Sequence, residues 1–111
     1  MALTKDFKRT VQEIALKNSK FRKGLLVSSV NELLLGELGS AKILMKDYIN
    51  ATIGFISLAE KMGKNNKTLH KMFGNNGNPT AENLCAIFKI LQEHEGIKIH
   101  ANLLRNHHRA A

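Results

Sequence analysis

Acidic side chains are scarce in this chain: nine Asp and Glu stand against 17 Lys and Arg among 111 residues, a formal charge of +8. An excess of that size on so small a body favours a polyanionic partner. Aromatic residues make up 5% and Trp is absent. The core must therefore be built mostly from Leu, Ile, Met and Phe, and exposed stacking platforms of the kind that RNA-binding modules use are missing. Cysteine occurs once, at Cys85, so neither an intramolecular disulfide nor a zinc cluster built from thiolates can form. That fits a reducing, cytoplasmic location. No apolar run approaches the ~20 residues that cross a bilayer. The opening MALTKDFKRT has charge but no following apolar segment, so neither a membrane partner nor a secretory signal is expected.

What is present is a globular composition, 43% apolar, at a length that suits one domain spanning 1–111. Apolar spacing reads as helix almost throughout. Residues 4–17 form a first helix with Thr4 as its cap and Phe7, Val11 and Ile14 recurring on one side. Ser19 offers a cap for a second helix, whose stripe runs through Phe21, Leu25, Leu26, Val30, Leu33 and Leu34 to a stop at Gly36. Together, 4–36 make an N-terminal helical extension. A third helix runs from about Leu38 to Asn50, with Leu38, Ala41, Leu44, Met45, Tyr48 and Ile49 as its apolar residues, and 52–54 breaks it. Two short helices follow at about 55–62 and 66–73, then a turn-rich loop, GNNGNP, at 74–79. Thr80 caps a last helix carrying Leu84, Ile87, Phe88 and Leu91, which Gly96 ends; Pro79, the single proline, stops it from extending backwards. The segment 38–96 is thus a helical core. In the remainder, 97–111, Ile97 and Ile99 alternate with Lys98 and His100, which predicts a short strand, and NHHRAA predicts a frayed tail.

The segment FISLAEKMGKNNKTLHKMFG, residues 55–74, carries the functional signal. Ala59 lies where two helices must approach closely, and Gly63 where the chain must turn sharply. Leu58, Met62, Leu69 and Met72 fall on the inward faces. The second helix divides cleanly: Leu69, Met72 and Phe73 share one side, and Asn66, Lys67, His70 and Lys71 share the other. Residues 61–81 contain Lys61, Lys64, Lys67 and Lys71 and no acid; a second basic run lies at Lys17, Lys20, Arg22 and Lys23. This is the spacing of a helix-turn-helix, which sets one helix in the DNA major groove. Asn can pair bidentately with adenine and Lys can donate to guanine. Asn65 is placed to cap the second helix, whose N-terminal amides favour a phosphate. A solvated charged helix would also show a basic outer face. The coincidence of Ala59, Gly63 and the apolar register is what favours DNA.

On these residues the stretch 41–96 resembles the λ-repressor-like, Cro/repressor-type helix-turn-helix fold. The fuller run DYINATIGFISLAEKMGKNNKTLHKMFGNNGNPTAENL is similar to the HigA-like antitoxins, or addiction-module antidote proteins. The resemblance covers Phe21 to about Ile99. It implies an all-α DNA-binding domain that autoregulates its own operon and a cognate toxin as a partner. Carried over by position, base reading falls on Asn66, Lys67, His70 and Lys71. Phosphate contacts fall on Lys64, Asn65, Thr68 and the loop residues Asn75, Asn76, Gly77 and Asn78. Two positions depart from the pattern: Phe55 stands where many repressors have a phosphate-anchoring Gln, and Lys64 stands where an apolar turn residue is common.

Other signals are weaker. His94, His100, His107 and His108 fall in a helix end, a strand and a tail without a ligand pattern around them, so no metal is expected. Cys85 follows Leu84 in an apolar helix and reads as a buried thiol. Gly63-Lys64 lacks the upstream glycine of a phosphate-binding loop. No paired carboxylates or activated nucleophile stand out, so neither an enzyme nor a cofactor is expected. Leu33, Leu34 and Leu35 could face a partner, with core packing the default. The reading is therefore an all-α regulator that binds a double-stranded operator as a homodimer, its two reading helices about 34 Å apart. The alternatives are an antidote that covers a toxin with 4–36, and a stand-alone regulator with no toxin.

Overall fold

Six α-helices supply the regular structure of residues 5–105, the part of the chain that the computed structural model describes. They are α1 (Lys5–Lys17), α2 (Ser19–Leu34), α3 (Leu38–Ala51), α4 (Phe55–Met62), α5 (Asn66–Met72) and α6 (Ala81–Glu95). Thr4, His107, His108 and the tail NHHRAA lie outside the described residues.

The helix ends follow local chemistry. Asn65 and Thr80 accept backbone N–H groups of Lys67 and Asn83, so both expected caps form. The cap of α2 is Asn18 rather than Ser19: its side chain accepts the Phe21 N–H at 3.0 Å, which leaves Ser19 as the first helical residue. Helices α2, α4 and α6 all stop at a glycine with positive φ, at Gly36, Gly63 and Gly96.

One hydrophobic core draws on every helix. Ala15 of α1, Leu25 and Leu26 of α2, and Met45, Tyr48 and Ile49 of α3 meet Phe55 and Leu58 of α4, Leu69 of α5 and Ile87 and Leu91 of α6. The N-terminal helices therefore complete the core, and α2 against α3 is the most extensive helix pair. The apolar stripes of α1 and α2 are not buried along their full length, however. Ile14, Leu34 and Leu35 are exposed, against the default of core packing for the last two.

A polar cluster ties four helices together. The Arg22 guanidinium forms a bidentate pair with Glu95, Nε to Oε1 at 2.8 Å and the second amino group to Oε2 at 3.0 Å. Its remaining amino group donates to the carbonyls of Ala15 and Leu16 at the end of α1, and the Tyr48 hydroxyl donates to the same Glu95. The Arg22 hydrogen bonds hold the Glu95 carboxyl below the usual carboxylate range although burial opposes them. Burial and the Glu95 bond push the Tyr48 hydroxyl well above its ordinary value, so it stays a donor.

No strand forms among the described residues, so the expected one at 97–100 is corrected. The local reason is that the backbone there is engaged with α6. The N–H of Ile97 goes to the Gln92 carbonyl and the N–H of Ile99 to the Gln92 side chain at 2.7 Å. Ile97 and Ile99 both pack against the core. Cys85 is also corrected, from buried to exposed.

Candidate nucleic-acid interface

Helices α4 and α5 are joined by three residues, Gly63, Lys64 and Asn65. The turn is closed by two backbone bonds, Gly63 N–H to Glu60 O at 3.1 Å and Lys64 N–H to Ala59 O at 2.9 Å. That pairing needs a left-handed residue, and Gly63 supplies it with φ of 68°. Leu58, Ala59, Leu69 and Met72 are buried as expected, and Met62 is half-buried at the edge. Asn66, Lys67, Thr68, His70 and Lys71 are exposed, as are Lys64 and Asn65. The inward and outward sides read from the sequence are thus the sides the helix adopts.

Phe55 explains part of the geometry. It is buried at the start of α4 and meets Phe73 edge-on at 5.5 Å. It also stacks on the His70 ring, centroid to centroid 4.4 Å with planes 22° apart. A Gln at this position would offer a donor to phosphate; Phe55 instead orients His70. The His70 imidazole therefore presents an edge rather than a freely rotating ring.

The loop after α5 is held from an unexpected direction. Lys42, on α3 and buried, donates to Gly74 O at 2.7 Å and Gly77 O at 2.8 Å. The sequence marks no such role, because a lysine between Ala41 and Ile43 reads as a surface residue. Gly77 also has a packing reason to be glycine: a Cβ there would sit 2.0 Å from Lys71 O and 2.5 Å from Met72 O. Gly77 is half-buried, which makes it the support of the loop more than its contact surface. Asn75, Asn76 and Asn78 are exposed.

These elements bring most of the predicted residues together. Thr68 and Lys71 line one shallow hollow with Asn76, Gly77 and Asn78. Lys64 and Asn65 lie at the other end of α5, roughly 10 Å away along a seven-residue helix. Polar groups therefore bracket a basic and amide-bearing helix face at both ends. The second basic run is only partly available to such a surface, since Arg22 is consumed by Glu95. His94 and His100 are exposed on separate elements, α6 and the segment beyond it.

Compared with protein-family models, curated proteins and solved structures, the chain matches none.

Proposed function

We propose that this chain is a sequence-specific regulator that binds double-stranded DNA through a helix-turn-helix formed by α4 and α5. The observation that carries the reading is the exposure of Asn66, Lys67, His70 and Lys71 on one side of a helix whose other side is locked into the core. That amphipathic arrangement presents base-reading side chains on a rigid support, and polar groups at both ends of α5 can reach phosphates. Asn66 and Lys67, near the start of α5, read base edges; Lys64, Asn65, Thr68 and the loop of Asn75, Asn76 and Asn78 take the backbone. Two copies bound as a homodimer would read a palindrome across successive major grooves.

The resemblance to HigA-like antitoxins extends this proposal to a regulator of its own operon whose partner is a toxin. Exposed Ile14 and Leu16 on α1 favour a protein contact there, apart from α5. The two activities are compatible because they use different elements.

The test is binding of the purified protein to its own upstream promoter duplex against a scrambled duplex of equal length, over a series of salt concentrations. Tight binding that survives the scrambled competitor supports an operator-binding regulator. Weak binding to both duplexes, lost alike as salt rises, reduces the protein to a basic helical body and removes the DNA-reading proposal.

A further inference from the structure

Lys42 of α3 is the only buried residue of formal charge among the described residues, 8% exposed. A buried charge ordinarily faces an opposite one. Lys42 forms no ion pair among the described residues, and its ammonium is met by two carbonyl oxygens, those of Gly74 and Gly77, at 2.7 and 2.8 Å. Its positive charge is therefore not neutralised by a carboxylate, and it lies beneath a loop that belongs to the acid-free stretch 61–81. Capping of α5 does not account for this arrangement. The carbonyls of His70 and Lys71, at the end of that helix, already accept the N–H groups of Phe73 and Gly74. Lys42 binds carbonyls that lie beyond the helix.

Peptide geometry gives the consequence for the loop. In a trans peptide the N–H points opposite to the C=O, and the described residues contain no cis bond. The two carbonyls that turn inward to Lys42 belong to the peptides joining Gly74 to Asn75 and Gly77 to Asn78. The N–H groups of Asn75 and Asn78 therefore point outward. Neither has a hydrogen-bond partner among the described residues, and both residues are exposed. The Gly77 N–H closes the turn on Gly74 O at 3.0 Å, which ties the two peptides to each other. Two outward backbone donors in front of an ammonium without a counter-charge favour an anion.

We infer that Lys42 is a positioning residue for a DNA backbone phosphate: it turns two loop carbonyls inward, so that the N–H groups of Asn75 and Asn78 receive the phosphate. Its charge attracts the same phosphate from behind the loop. This role rests on the DNA-binding reading above and names which loop groups take the phosphate and what aims them.

The measurement is an amide proton and nitrogen titration of the isotope-labelled full chain with the upstream promoter duplex and with a scrambled duplex of equal length. A phosphate contact carries no sequence information. The Asn75 and Asn78 amide protons should therefore move downfield with both duplexes, as protons do on gaining an acceptor. In Lys42→Met, with unchanged helical content, those two movements should shrink while the shifts in α5 persist. Affinity should fall about tenfold on both duplexes alike, leaving the preference between them unchanged. Shifts in α5 without movement of the Asn75 and Asn78 amides overturn the role of Lys42 and leave the DNA-reading proposal standing. So does a Lys42→Met variant that binds both duplexes as the wild type does. A titration in which neither α5 nor the loop moves removes the DNA reading, and the role of Lys42 with it. Should Lys42→Met fail to fold, the wild-type amide shifts decide alone.

Discussion

At the scale of single residues, the division of α5 into two sides is a direct result of spacing. Leu69 and Met72 are buried and Asn66, Lys67, His70 and Lys71 are exposed, as three-and-four counting expects. Lys67→Ala should cost roughly 1–3 kcal/mol on the preferred operator and relax its base preference. Competition with scrambled duplex measures this, and an equal loss on both duplexes would assign Lys67 to phosphate instead. Gly63 is required for its backbone: its φ is 68° and a Cβ would meet nothing within 4 Å. Gly63→Val should therefore destabilise by about 1–2 kcal/mol or more, since a β-branched residue resists the left-handed region. Thermal unfolding reads this out, and an unchanged melting temperature would contradict the placement of the turn. What the spacing cannot give is where side chains of different elements meet. The stacking of His70 on Phe55 links residues 15 positions apart, and no local period marks it.

At the scale of elements, helix boundaries were legible wherever a cap or a glycine carried the signal, as at Asn65, Thr80, Gly63 and Gly96. They were less so where two cap residues stand together, as with Asn18 and Ser19. The contacts that join elements were hidden by distance along the chain. Arg22 and Glu95 are 73 residues apart, and Lys42 is 32 from Gly74. Arg22 and Lys42 therefore read as surface cations. Their bonds across the fold yield two predictions. Glu95→Gln should destabilise the protein by about 1.5–3 kcal/mol near neutral pH, because half-buried Arg22 loses a charge-assisted pair while keeping its bonds to the Ala15 and Leu16 carbonyls. The Glu95 carboxyl lies below its ordinary value in the folded chain. Its contribution is therefore present above the unfolded carboxylate range and is lost as pH falls through the folded value. The stability difference between wild type and variant should shrink on acidification; a difference independent of pH would show that the pair is not what the carboxylate supplies. Lys42→Met keeps the stem and removes two charge-assisted bonds, so it should cost about 1.5–3 kcal/mol. Hydrogen exchange should then speed up at 74–78 before it does in α2 or α3, and uniform exchange would deny the loop its tether.

At the scale of the whole molecule, the helical class follows from composition and periodicity, whereas the entry of α1 and α2 into the one core, through Ala15, Leu25 and Leu26, does not, because their apolar stripes suit a core or a partner equally. The C-terminal segment does not, because Gln92 takes up the backbone groups that a strand would pair. Among the described residues no helix is long and apolar enough to cross a membrane. The charge is uneven: the lysines of 61–81 stand free of acids, while 24–41 has carboxylates alone. If α5 and its flanking loop meet a duplex, affinity should fall with salt at a slope of about −0.9 per phosphate neutralised. The most direct test of the central claim is amide chemical-shift mapping of the isotope-labelled protein titrated with its upstream promoter duplex. Shifts concentrated at 64–71 and 75–78, with α1 and α2 unmoved, are the predicted result. Shifts centred on α1 or α2, with Asn66, Lys67, His70 and Lys71 unchanged, would contradict it.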